Sequence, residues 1–458
     1  MDTGPNFDPY GNQPLHPMAL AAIIILGAWM LVAKRRHALL PMIIMACFIS
    51  QAQRIVILGA NFNLIRVMVL FGWARVMTRG EFKGFRWVLL DRLIIAWAVA
   101  RTVIYTIQWG DTSALVYQLG QSFDAIGMYF LFRFLISSFE DFEPVVLGFI
   151  VVSLPVAVFF MLELSTGRNV FSYLGGVPLI TTVREGKLRC QGPFPHAIMA
   201  GCFWAVLLPF VIAYFWSSRR AKIWSVIGCI TFAAIVIASW SSTPMGAVIE
   251  VIVGFCFFRF RRRMRQIRWS ILIVLLILHF FIMKGPVWSL LSHIDLAGGS
   301  TGEYRAELIS LAVDNVSGWW LVGTKSISSW NPYYYDITDQ YIMEGITGGL
   351  LTLILFVCMI SYGFRGAGRI IKRAKSRREE IMAWAIGVGL FVHMMTFLGA
   401  SYFGQIIMTW YLQLAVIGSL EVFSERRLGR SSPSILPKAR EAGSPVRSSS
   451  SAPSEVSI

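Results

Sequence analysis

The chain is poor in charge. Only 14% of its 458 residues are Asp, Glu, Lys or Arg, whereas 56% are hydrophobic, and its mean hydropathy is +0.63. A soluble domain does not cover its surface with so few ionic groups, but a chain of membrane spans needs few. Acidic residues are scarcer than basic ones, 25 against 41, for a formal net charge of +16. Nucleic acid is not the inferred partner. The cations stand in short blocks between apolar runs, as in the cytoplasmic loops of membrane proteins. Six cysteines are scattered at 47, 190, 202, 229, 256 and 358, without CxxC or Cys/His spacing. That excludes a disulfide framework and a cysteine metal site, and it reads as free thiols mostly inside apolar runs. GxxxxGK[ST], GxSxG and HExxH are all missing, so ATP-driven chemistry, a nucleophile elbow and a zinc protease lack their signatures. No internal repeat suggests a transporter of two matched halves.

What the chain has in quantity is long apolar runs. They give about thirteen spans, near 18–33, 38–53, 55–74, 87–108, 115–136, 144–162, 197–216, 222–239, 245–258, 269–283, 342–363, 381–400 and 403–421. The expected fold is therefore all-α, a polytopic integral membrane protein of about 12–13 transmembrane helices. A short segment, 1–17, precedes the membrane domain of 18–421, and a Ser/Pro/Arg-rich tail, 422–458, reads as disordered and cytoplasmic. Lys34, Arg35 and Arg36 follow the first apolar run, whereas a cleaved signal peptide carries its charges before it, so this run is a retained span. The blocks at 34–36, 75–86, 217–222, 259–268 and 365–378 all fall on one side when the spans are walked in order. The positive-inside rule makes that side cytoplasmic, puts the N-terminus outside, and leaves two longer outer loops, about 164–196 and about 284–341. The acidic stretch SSFEDFEP (137–144) falls inside, against the trend.

Charges within spans are costly and draw the eye: Arg66, Asp91, Arg92, Arg101, Asp124 and Arg133. Arg92 and Arg133 lie near span ends, where long side chains snorkel to the interface. Arg66, apolar on both sides, calls for a buried partner or a ligand. In the first outer loop, Arg184, Lys187 and Arg189 gather just above the membrane, Gly192, Pro193 and Pro195 force a turn, and His196 stands where the next span begins. Cations and a helix N-terminus aimed at one point make an anion site, and at this depth the natural anion is a lipid phosphate or pyrophosphate. Ordinary interfacial cations meeting headgroups are the other reading. In the second outer loop, 302–323 has apolar positions at helical spacing, a helix lying on the membrane surface and ending near Gly318. Trp330, Tyr333, Tyr334, Tyr335, Asp336 and Asp339 follow, either a platform for sugar rings with carboxylates beside it or an interfacial aromatic belt. The DxxD spacing is a weak metal signal, and no metal or other cofactor is expected.

These stretches, taken in order, resemble the O-antigen ligase / O-antigen polymerase superfamily of bacterial envelope proteins over about residues 55–421. Arg66 resembles the family's intramembrane arginine. Arg189, Gly192, Phe194 and His196 resemble its R-x-x-G-x-F-x-H-P turn, and SWSSTPMGA (239–247) its serine-rich turn between spans. GEYRAEL with the later LVGT resembles the start of its large periplasmic loop, and DITDQYIMEGITGG the end of that loop. The resemblance implies a metal-independent glycosyltransferase of the inner membrane with its site on the periplasmic side. Its donor is a polyprenyl-pyrophosphate-linked glycan, and its acceptor is a glycan or lipid, with envelope polysaccharide assembly proteins as further partners. It assigns Arg189, Arg305, Arg66, Lys187 and His196 to the pyrophosphate, Tyr333, Tyr334, Tyr335 and Asp336 to the glycan, and Arg305 and Asp339 to catalysis. Two departures stand out. The ligase histidine that ends the loop is replaced, the matching positions being Thr338 and Asp339, and Thr243-Pro244 stands where Arg-Gly is usual. Asp339 becomes the expected base, with His196 or His293 as alternatives, and the reading leans from ligase toward polymerase. A transporter or flippase of lipid-linked glycan and a non-catalytic assembly factor are the competing readings.

Overall fold

A computed structural model describes residues 15–57, 60–293, 301–331 and 336–431. The described chain is all-α apart from two small hairpins. Its elements in order are α1 (Pro17–Val32), α2 (Leu40–Phe48), β1 (Arg54–Ile57), β2 (Ala60–Asn63), α3 (Leu64–Arg79), α4 (Leu89–Trp109), α5 (Thr112–Leu135) and α6 (Phe139–Thr166). There follow β3 (Thr182–Arg184), β4 (Lys187–Arg189), α7 (Ala197–Tyr214), α8 (Arg219–Ala238), α9 (Ser242–Cys256) and α10 (Met264–Ile277). The chain ends with α11 (Thr301–Asp314), α12 (Val316–Trp319), α13 (Gln340–Arg373), α14 (Arg377–Thr396) and α15 (Ile406–Ser431). Six helical stretches are long and apolar enough to cross a membrane: Phe139–Thr166, Ala197–Tyr214, Arg219–Ala238, Ser242–Ile282, Gln340–Arg373 and Ile406–Leu428.

Helix α7 is the axis. It is apolar all round, which only a buried helix tolerates. It packs on α8, α9, α14, α15 and α6, and its Trp204 and Phe203 are fully enclosed. Helices α4 and α5 form an antiparallel hairpin beside α13 and α15. The long connection after α10 folds onto the start of α13 through its own small core of Leu308, Ala312, Ile327, Ile337, Ile342 and Ile346.

Three expectations need correcting. The run at 55–74 is not one span: β1 and β2 pair antiparallel, Arg54 opposite Asn63, and the helix starts only at Leu64. Arg133 does not snorkel. It is 6% exposed and bonds Asp91 at 3.0 Å, because a carboxylate one helix away satisfies it better than a distant interface. Helix α15 continues to Ser431, past the boundary expected at 421, and Arg369–Glu421, Arg373–Glu425 and Arg427–Glu379 pairs hold that extension. Residues 1–14 and 432–458, most of the two expected terminal segments, lie outside the described residues, as do Tyr333, Tyr334 and Tyr335.

Candidate anion-binding site

The turn that carries Arg189 and His196 is fixed from four directions. Glu163, fully buried near the end of α6, accepts the backbone N–H groups of Gln191 and Gly192, each at 3.0 Å, and the hydroxyl of Thr181 at 3.1 Å. Asn169 donates to the Gly192 carbonyl at 2.7 Å, Gln405 donates to that of Pro193 at 2.9 Å, and the Cys190 N–H donates to Ala238 at 3.1 Å. Gly192 has φ +55°, and a Cβ there would stand 2.4 Å from Phe160, so only glycine makes this turn. The result is a rigid seat for Arg189, 9% exposed, and for His196, the N-cap of α7.

Arg189 reaches Ser241, whose Oγ accepts from Nη2 at 3.4 Å, and its buried Nε has no hydrogen-bond partner among the described residues. Two residues on, Thr243 Oγ1 accepts from Arg305 Nη2 at 2.8 Å. Arg305 comes from the first turns of α11, and its guanidinium also lies against Gly399, where a Cβ would be 3.3 Å from Cζ. Ser241 is the N-cap of α9 yet makes no side-chain cap bond, and Pro244 has no N–H to offer. Two arginines therefore flank the partly unsatisfied, positive end of a long helix. Trp240, just before it, sits at φ +39°, a strained backbone for an aromatic residue, with Lys187 Nζ 5.2 Å above its ring.

The charges are unbalanced. Arg66 pairs with Asp124 at 2.6 Å, Arg75 with Glu81 at 2.8 Å, Arg101 with Glu344 at 3.3 Å and Arg133 with Asp91 at 3.0 Å. Arg189 and Arg305 have only hydroxyls, and no carboxylate within ion-pair distance among the described residues. Burial lowers the pKa of both, and Arg184 adds a third positive charge to each. His196 keeps solvent access, yet burial of its surroundings and the charges of Arg189 and Arg184 push its pKa down to about 4. Its Nδ1 accepts the Ile198 N–H at 3.1 Å, so the ring is neutral at pH 7 and carries its proton on Nε2.

Asp339 completes the group. It caps α13 through Oδ1, which accepts the Ile342 N–H at 2.9 Å, and it is 1% exposed. Burial raises its pKa to about 7, against the opposing pull of two backbone N–H groups and the Arg305 charge. A carboxylate poised there can take a proton from a hydroxyl.

The structure thus brings together Arg189, Arg305, His196 and Asp339, with Lys187 at the rim. Arg66 stands apart, satisfied by Asp124 on α5. Asp336 is half-buried, and its backbone N–H and C=O both meet the Tyr304 hydroxyl. Its carboxyl pKa is raised by burial. His293 is exposed at the end of a short turn before the undescribed 294–300. Sequence reasoning missed Glu163, Ser241 and Thr243 as the parts that hold the arginines. The signal for the last two was present, since S-S-T-P before an apolar run is a helix start. Among the described residues, no group of three His, Cys, Asp or Glu side chains is placed to hold a metal ion. No protein-family model matches this chain, and no curated protein matches it.

Proposed function

We propose that this protein is a multi-pass glycosyltransferase of the bacterial inner membrane, its site facing the periplasm, acting on a polyprenyl-pyrophosphate-linked glycan. The observation that carries the reading is a contrast among arginines: Arg66, Arg75, Arg101 and Arg133 are paired with carboxylates, whereas Arg189 and Arg305, which converge at the start of α9, have none within ion-pair distance among the described residues. A buried cation without a counter-charge costs several kcal/mol unless an anion comes to it. Bidentate guanidinium contacts fit phosphate oxygens and stabilise a leaving pyrophosphate as its charge grows.

In the proposed reaction an acceptor hydroxyl attacks the anomeric carbon of the donor. The bond from that carbon to the phosphate oxygen breaks, and polyprenyl pyrophosphate leaves with the electron pair, held by Arg189 and Arg305. Asp339 takes the hydroxyl proton. The pyrophosphate linkage is already activated, so no nucleotide is needed. A glycan acceptor, making the protein a polymerase, is favoured over lipid A–core, because an aspartate stands where ligases keep histidine.

Purified protein in nanodiscs, given a polyprenyl-pyrophosphate glycan and no ATP, should lengthen lipid-linked chains. Arg189→Ala and Arg305→Ala should each reduce that rate at least 100-fold. Glycan appearing on lipid A–core instead would make it a ligase. Donor carried across the bilayer without any transfer would replace the enzyme with a flippase.

A further inference from the structure

Thirteen buried side-chain polar atoms lack a hydrogen-bond partner among the described residues, and five of them belong to one stretch of the α4–α5 hairpin. They are Arg101 Nε, Gln108 Oε1, Trp109 Nε1 and both amide atoms of Gln118, a side chain only 1% exposed. An unpaired amide in a low-dielectric interior costs about 1–3 kcal/mol, so five such atoms together are not expected without something polar to meet them. Residues 101, 105, 108 and 109 share one face of α4 by helical spacing. Thr102 and Ser122 bond across the hairpin at 2.7 Å, which fixes the register and places Gln118, one turn on from Ser122, level with the Tyr105–Trp109 turn. Rings line the same region: Tyr105 lies 6.0 Å from Trp109 and 5.9 Å from Tyr117, both tilted, and Tyr117 is 36% exposed.

Apart from Arg101 the cluster's own polar groups are neutral, and Lys325 Nζ lies 5.2 Å over one face of the Trp109 ring. Arg101 is already balanced by Glu344 at 3.3 Å, so the cluster does not repeat the anion site. Primary amides offer donor and acceptor side by side, as vicinal hydroxyls do, and the exposed Tyr117 ring suits the C–H side of a pyranose, whereas Tyr105 is enclosed and backs it. The cluster is also tied to Asp339. Glu344 accepts from Gln340 Nε2 at 2.8 Å, Gln340 follows Asp339 directly, and Glu344 is one helical turn further along. The start of α13 thus links Asp339, beside Arg305, to Glu344, which pairs with Arg101 of the amide cluster.

We infer that Arg101, Tyr105, Gln108, Trp109, Tyr117 and Gln118 form a saccharide subsite, which binds the sugar unit whose hydroxyl faces Asp339. The acceptor role rests on the glycosyltransferase reading above, but saccharide binding does not.

The test is saturation-transfer NMR on the full chain in nanodiscs with free glucose, galactose, rhamnose, N-acetylglucosamine and lactose. At least one should give signals in wild type. Those signals should fall at least 5-fold in Gln118→Leu and in Trp109→Phe, and persist in Arg305→Ala. Gln118→Leu removes two unpaired polar atoms at similar volume, so its thermal midpoint should hold or rise; Trp109→Phe keeps the ring and loses only the N–H. Signals undiminished in both variants, or absent for every sugar, would overturn the subsite and leave the buried amides to water. Binding that survives when no transfer is found would sink the enzyme reading and spare the subsite. Transfer without saccharide binding would do the reverse.

Discussion

Whether a buried arginine has a carboxylate is the residue-level fact that separates structure from site. Arg133, Arg75, Arg101 and Arg66 are built into the fold by Asp91, Glu81, Glu344 and Asp124, while among the described residues Arg189 and Arg305 meet hydroxyls and no carboxylate within ion-pair distance. Asp339 gives the sharpest prediction. Its pKa near 7 means that transfer should rise with pH about a midpoint near 7, and Asp339→Asn should abolish transfer and the pH limb together. Its effect on stability has the opposite sign. A folded-state pKa above the ordinary 3.8 favours the folded chain fully only below about pH 4, and that contribution is lost as pH rises through 7. The wild-type thermal midpoint should therefore be lower at pH 8.5 than at pH 5.5. In Asp339→Asn, whose amide oxygen can still cap α13, the gap should shrink. His196 behaves conversely. With its pKa held at about 4 rather than 6.5, its contribution is complete above pH 6.5 and is lost as pH falls toward 4. Removing the cap in His196→Ala should cost about 1 kcal/mol at pH 7, and His196→Asn should restore most of it in a denaturation midpoint.

At the scale of elements, hydropathy marked nearly every helix, because a membrane span needs a continuous apolar run whatever its neighbours do. It failed at 54–63, where Ile55, Val56 and Ile57 are as apolar as a span but β-branched, and where Gly59 supplied a turn signal. The gathering of loop cations at 184–189 was legible in the sequence. Their seat was not, because Glu163, Ala238 and Gln405 meet the 189–193 turn across long stretches of sequence that no local pattern reports. Glu163→Gln keeps the shape but replaces one accepting oxygen by an N–H donor, leaving one backbone N–H unpaired. Transfer should fall at least 10-fold, with a loss of about 1–3 kcal/mol in stability. The other element-scale device is the break in α13 at Gly348–Gly349, where φ is −148° and then +67°. A Cβ on Gly349 would stand 2.4 Å from the Leu321 carbonyl oxygen, so the segment after α12 can dock there only against glycine. Gly349→Ala should free that segment, read as faster amide exchange over 319–325 than in wild type.

The whole molecule has two unlike ends. At one, Arg189 and Arg305 stand near Asp339 with no ion pair among the described residues. At the other, the basic blocks are knitted by carboxylates: Arg378 to Glu143 at 2.7 Å, Arg369 to Glu421 at 2.7 Å, Arg373 to Glu425 at 3.0 Å, and Arg261 to Glu380. That resolves the one stretch that ran against the charge rule. Glu143, in the acidic first turns of α6, meets Arg378 and the Ser217 hydroxyl, so it belongs with the basic blocks. If the six long apolar helices cross a membrane, the positive-inside rule predicts that the knitted end faces the cytoplasm. That orientation is a prediction open to a labelling test. With the exposed thiols Cys256 and Cys358 replaced by serine, Lys187→Cys should react with a membrane-impermeant maleimide added to intact spheroplasts, since Lys187 is exposed on β4 at the anion-site end. Arg220→Cys, exposed at the start of α8 beside a basic block, should react only after the membrane is opened. The reverse pattern would turn the arginine site to the cytoplasm, where a lipid-linked glycan awaiting export, rather than one already exported, would be its substrate.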